Sequence, residues 1–327
     1  YALALFHYWG HRDYAAAVEQ LDLAAQSLPN SADVAMLRAS ITRRQGRTGE
    51  MIAGFRQAVL LDPRSAFAVD QLALAYEALR HYEEADRAFA QAEAITRDPV
   101  DERVTRALNT VAWSGDLAPL RAALAALTPG SDPYSGNTSS FYALHWWGHE
   151  PAKAAEIARA DVTESWTDQQ NILLPRQLYL AWALQAANDK TGAEAAYKAV
   201  EKAATEELAQ QPDRAELHLA LAFANAGLGR VDAAHAEGRK AAELLPPSRD
   251  ALTGATMQVY YAQVLARVGD IDGAFGVLQP TPSLLSGVSI SSALLKLDPV
   301  WQPLRNHPRF AALAAALDQP IEIRTAP

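Results

Sequence analysis

The chain has 327 residues, half of them hydrophobic, with 29 Lys and Arg against 38 Asp and Glu, no Cys, and a formal net charge of −9. That balance excludes broad contact with phosphate backbones, which needs clustered Lys and Arg, and the lack of Cys excludes disulfides, thiolate catalysis and Cys-based zinc sites. No run approaches the ~18 uninterrupted apolar residues of a membrane-spanning helix, so no membrane insertion by this chain is expected.

The opening residues Tyr1-Ala2-Leu3-Ala4-Leu5-Phe6 enter a helical pattern without the basic start and cleavage site of a signal peptide, as expected of a piece cut from a longer chain. His7-Tyr8-Trp9-Gly10-His11, followed by Ala17, predicts a first helix pair. Pro29 and Pro63 then open a regular period, and between them Ala39, Phe55 and Ala58, with Gly46, mark places at which Ala73, Phe89 and Ala92 follow one period later. Small residues suit the places where two helices cross, and large aromatic ones fill the gap to the next pair. Asp62-Pro63, Asp98-Pro99 and Pro246-Pro247 end helices, while Asn30, Ser31 and Asp213 can cap the helices that follow.

Further along, Val100 to Pro129 carries a weaker copy with Leu108, Gly115, Leu120 and Leu124. Thr128 to Ser140 concentrates Pro, Gly, Ser, Asp and Asn and predicts a hinge. His145-Trp146-Trp147-Gly148-His149 with Ala155 repeats the opening motif, Asp161 to Asn171 is a second interruption, and Leu174 to about Gln210 is another weak copy. Asp213 to Pro246, with Leu221, Ala222, Gly229, Ala234 and Ala241, is a clear copy; Arg249 to Leu278 is the last. Leu294, Leu297, Trp301, Leu304 and Phe310 are spaced to cap the array.

The period, about 34 residues, and the residues at its fixed places are those of the tetratricopeptide pattern. The expected fold is all-α: a right-handed superhelical solenoid of about eight helix-turn-helix repeats of that kind with a C-terminal helical cap. The expected division is an N-terminal array over 1–127, a hinge over 128–140, a second array over 141–279, a capping segment over 280–317 and a tail over 318–327. Leu297-Asp298-Pro299-Val300-Trp301-Gln302-Pro303-Leu304-Arg305 and Pro308-Arg309-Phe310, with Tyr8-Trp9-Gly10, resemble the C-terminal repeat region of multidomain bacterial regulators with adenylate cyclase-like, kinase-like or winged-helix domains. The resemblance implies a sensory or scaffolding module, on the periplasmic side of a membrane if it holds; the residues alone fit a cytoplasmic protein equally.

No nucleophile elbow, phosphate-binding glycine loop or dinucleotide fingerprint occurs, so neither catalysis nor a cofactor is expected. His145 and His149 share a helical spacing, but Gly148 and Pro151 point to a helix end, and no metal site is expected. Adjacent carboxylates such as Glu83-Glu84 diverge by about 100° on a helix and read as solvated.

In this repeat class the first helix of each pair lines the concave surface. The register points Phe6, Trp9, Met36, Ser40, Arg43, Phe67, Asp70, Leu74, Glu77 and Thr105 into the groove, then Asn109, Leu144, Trp147, Leu178, Trp182, Leu219, Phe223, Val259 and Gln263, with Arg106 and Trp113 at its margin. Aromatic and lightly charged, this surface suits capture of an apolar peptide or protein helix better than an acidic peptide, which Asp70 and Glu77 would repel. Two alternatives remain open at this level: a small-molecule or metal-sensing receptor domain, and a self-assembly module in which the first helix docks on another copy.

Overall fold

The computed structural model describes residues 1–125, 127, 137–167 and 172–324. Among them run eight helical hairpins in succession. The first joins Ala2–Leu5 and its π-helical continuation Phe6–His11 to Tyr14–Ser27. The second to fourth are Ala32–Arg44 with Thr48–Leu61, Ala66–Ala78 with Tyr82–Ile95, and Val100–Ser114 with Ala118–Leu124. The fifth to eighth are Asn137–Trp147 with Pro151–Ala160, Arg176–Ala186 with Lys190–Leu208, Ala215–Gly227 with Val231–Leu244, and Thr253–Arg267 with Ile271–Leu278. The fold is an all-α solenoid of tetratricopeptide-type repeats closed by a helical cap.

Each hairpin turns through one residue of left-handed backbone: Arg12, Gly46, Arg80, Gly115, His149, Asn188, Gly229 and Gly269. From Arg12 to His149 the turns keep the tetratricopeptide period, and from His149 to Gly269 each interval is longer. Gly takes such a conformation without a Cβ penalty, whereas other residues store about 1 kcal/mol or more. The two arginines in the set reach across the molecule, as described below.

Packing follows the small-and-large alternation. Phe55 and Phe89 are fully buried, as are Ala58, Ala73, Ala85 and Ala92. A Cβ added at Gly54 would stand 2.9 Å from that of Ala39, so the second pair needs a small residue on both sides of its crossing. Ser31 and Ser65 cap their helices by accepting from the amides of Val34 and Ala68. Asp213 does not act as a cap: that helix begins after Arg214 with no side-chain acceptor at its end.

Three expectations change. The interruption after Asp161 forms an antiparallel strand pair, Ser165–Thr167 with Leu173–Pro175, in which Trp166 faces Leu174. It is held because the Trp166 indole donates to Asp161 (2.6 Å) and both Trp166 and Leu174 are buried. Most of the hinge assigned to 128–140 lies outside the described residues, and its last four residues are the start of the helix Asn137–Trp147. The cap, finally, does more than cover the last pair. Trp301, Leu304, Leu313 and Leu317 bury against Leu265, Phe275 and Leu278, but Leu294 and Leu297 pack with Val104, Leu120, Phe141 and Leu144 of the fourth and fifth pairs.

Candidate functional site

The last four carbonyls of a helix have no partner within it. Here the C-terminal part of the chain supplies partners for one first helix after another. The amide of Ala251 donates to the Arg44 carbonyl (2.7 Å), that of Gly287 to Ala78 (3.1 Å), and the Ser291 hydroxyl to Ala112 (2.5 Å). The indole nitrogens of Trp146 and Trp147 then donate to Asp298 at 3.0 and 3.2 Å. Arg44, Ala78, Ala112 and Trp146 are themselves spaced by one repeat period, so the segment from Asp250 to Asp298 crosses equivalent places of the second to fifth pairs in chain order. At Gly287 the approach is so close that a Cβ would lie 2.1 Å from the Glu77 carbonyl oxygen.

Side chains hold the same seam. Arg12 pairs with Glu216 of the seventh hairpin at 2.9 Å. Arg80 grips the strap, the segment 279–298 between the eighth hairpin and the cap, through the Pro282 carbonyl, and the tail beyond the cap through that of Gln319 (3.0 Å). That use of the two side chains accounts for arginine where glycine would strain the backbone less. Arg44, Tyr14 and Asp250 form a buried cluster, with the tyrosine hydroxyl 2.6 Å and the guanidinium 3.3 Å from the carboxylate. Array and strap therefore form a closed ring.

Between strap and first helices remains a chamber of about 390 Å³. Tyr142, Trp146 and Trp147 of the fifth hairpin, Tyr179 and Trp182 of the sixth, Tyr260 of the eighth and Trp301 of the cap contribute its aromatic wall. The rings form a continuous run: Tyr142 to Tyr179 (5.4 Å between centroids), Tyr179 to Trp182 (5.1 Å), Trp182 to Phe223 (4.9 Å) and Phe223 to Tyr260 (6.2 Å). Asp298 fixes the two neighbouring indoles from the strap side. The charged wall residues are Glu77, Asp101 and Asp298, and no Lys or Arg stands among the described lining residues.

Glu77 is 1% exposed, and its Oε2 has no hydrogen-bond partner. Burial, reinforced by the charge of Asp70, pushes its pKa up to about 8; burial and then Glu102 push Asp70 up to about 6, against the opposing pull of Arg43. Between the ordinary carboxylate range and these values the folded chain holds protons that the unfolded chain has released, so stability falls as pH rises through that window. Denaturant midpoints measured from about pH 5 to about pH 8 are expected to decline, and Glu77→Gln to flatten the slope. An unchanged slope in that variant would remove Glu77 as its source.

Five residues of the concave register, Glu77, Thr105, Trp147, Trp182 and Gln263, meet at the chamber. Others lie elsewhere. Phe6 and Trp9 are 56% and 60% exposed on the first hairpin, and Trp113 is 48% exposed. Arg43 is buried over the Phe55 ring and bonded to Gln71, Asn109 is buried and donates to the Tyr82 carbonyl, and Phe223 is core. Arg106 turns away to ion-pair with Asp86 (2.7 Å) and Glu93 (3.3 Å) on the preceding hairpin. Asp70 and Leu74 are partly covered, Leu74 against the core of the second and third hairpins. Sequence reasoning missed Tyr142, Tyr179, Tyr260, Trp301 and Asp298 as site residues; the repeated Trp146-Trp147 pair was its only signal for this wall. His145 bonds Glu150 at 2.8 Å, and His149 occupies the left-handed turn that ends the helix.

No protein-family model matches the chain, and no curated protein matches it. Among solved structures it is similar to PilW, a widely conserved type IV pilus biogenesis factor (16% identity, 84% of this chain and 96% of that one, TM-score 0.32). It is also similar to the C-terminal part of a TPR repeat-containing protein from Cytophaga hutchinsonii (13% identity, 84% and 97% covered, TM-score 0.35). A third is a structure of Naa15/Naa10 bound to HypK-THB (15% identity, 95% of this chain, TM-score 0.28), of which this chain spans 61%.

Proposed function

We propose that the chain is an interaction scaffold of helical repeats that works as a receptor module, with the internal chamber as its receiving site. One observation carries this reading: the strap occupies the ends of the first helices, leaving between strap and array a partly open space of about 390 Å³ with an aromatic wall and a buried carboxyl, Glu77, one oxygen of which has no hydrogen-bond partner. Such a volume lies in the range of small-ligand sites, and an aromatic wall with few polar groups is their usual composition. Because the strap roofs the chamber, a ligand inside contacts array and strap together and favours the closed ring. The resemblance of the Trp301 region to bacterial regulators fits a sensory role for such closure.

A thermal-shift screen of small cationic, neutral and anionic compounds tests the reading. A chamber ligand at a hundred times its Kd is expected to add about 2.7 kcal/mol of stability, and Ala143→Trp, which fills the chamber, to abolish the response. A screen in which no compound distinguishes the two proteins would reject it.

A second reading, capture of a protein or another copy of this chain, is favoured by Leu3, Phe6 and Trp9, all more than half exposed on the first hairpin. It concerns the outer surface and is compatible with the first.

A further inference from the structure

We infer that the chamber takes a small organic cation, an amine or quaternary ammonium of a few carbons. The inference deepens the receptor reading and rests on it.

The wall's charge is the first argument. Three acidic residues, Glu77, Asp101 and Asp298, line the space, and no Lys or Arg stands among the described lining residues. Two are already engaged: Asp101 accepts from the Asn137 amide at 2.7 Å, and Asp298 holds the two indoles and the Val300 amide. Glu77 is the buried one of the three, with an oxygen that has no hydrogen-bond partner. Burial holds the Glu77 carboxyl protonated up to about pH 8, and a cation in the space would favour its ionised form, which an anion cannot do. A neutral polyol could donate a hydrogen bond to an acidic wall residue but would bring no charge to favour an ionised carboxylate.

The second argument is the aromatic wall. Ring faces attract cations most strongly when water is excluded, and several rings around one space form the arrangement that suits alkylammonium groups. The protein already uses one of these rings in that way: the Arg267 guanidinium carbon lies 4.5 Å from the centre of the Trp182 ring. Arg267 borders a neighbouring cavity that shares Trp146 and Trp182 with the chamber, and it is not among the chamber's described lining residues.

Tetramethylammonium, choline, putrescine, the uncharged carbon isostere of choline (dimethylbutanol) and glucose, titrated calorimetrically into the full chain, decide the matter. At least one of the three cations is expected to bind at millimolar concentration or below, and choline to exceed its isostere by roughly tenfold, the equivalent of 1.4 kcal/mol. Glu77→Gln, checked for unchanged helicity, should weaken the cation by a similar factor, and both Ala143→Trp and Leu108→Trp should abolish binding. If the isostere or glucose binds as tightly as the cations and the filling variants abolish it, the chamber is a receptor but not for cations. Cation binding that Glu77→Gln leaves intact also overturns the assignment. If none of the five probes binds, the cation assignment fails, and the receptor reading then stands or falls on the wider screen.

Discussion

Replacing Asp250 with Ala is expected to cost about 3–5 kcal/mol of stability, because it leaves the Arg44 guanidinium buried without its counter-charge. Side-chain exposure is 5% for Arg44 and 1% for Asp250, so water cannot take over. The carboxylate also accepts from the Tyr14 hydroxyl and from the backbone amides of Leu252 (3.1 Å) and Thr253 (2.9 Å), which start the eighth hairpin. Three elements distant in the chain thus meet on one side chain. Removing both charges with apolar groups of similar size, as in Arg44→Met with Asp250→Leu, is expected to be far less damaging than either change alone, since desolvation offsets much of the attraction in a buried pair. Urea denaturation of the four proteins forms a double-mutant cycle. A loss below about 1 kcal/mol for Asp250→Ala would mean that the seam between the second and eighth hairpins opens readily in solution.

The repeat itself was legible because its signal is local: a small residue at each crossing and a left-handed turn at each hairpin leave a mark once per period. Ala39, Phe55, Gly46 and Gly229 could be placed from spacing alone. Arg80 shows where that stops. It stands at a turn position that favours glycine, and its reason, the carbonyls of Pro282 and Gln319, lies far along the chain. Ring closure is likewise invisible to periodicity, since nothing local to Asp250 or Ser291 announces Arg44 or Ala112 as partners. The concave register found Glu77, Trp147 and Trp182 because the first-helix geometry fixes which places face inward. It placed Asn109 and Phe223 in the groove, but both turn to neighbouring hairpins, Asn109 donating to the Tyr82 carbonyl and Phe223 packing against Trp182 and Tyr260. Arg106 departs for another reason, since Asp86 and Glu93 on the adjacent hairpin offer it two carboxylates.

Trp301→Ala is expected to be as damaging as Phe89→Ala, about 3–5 kcal/mol, because each truncation removes a large buried ring and leaves a cavity among its neighbours. Trp301 is 1% exposed and packs among Leu265, Leu278, Leu304 and Leu317, whereas Phe89 sits in the core of the second and third hairpins. Trp147, only partly buried, should cost clearly less when truncated. The distribution of the loss is the more telling measurement. In an open solenoid each repeat touches only its neighbours, so damage at the cap would fade within a hairpin or two. In the closed ring the cap continues into the strap, and weakening it should release the amide of Gly287 from Ala78 and the hydroxyl of Ser291 from Ala112. Hydrogen exchange should therefore rise in Trp301→Ala both over the eighth hairpin and over residues 285–297, while Phe89→Ala, read the same way, loosens the second and third hairpins first. Protection that persists across 285–297 in Trp301→Ala would show that the strap is held by the array alone and that cap and chamber roof are energetically separate.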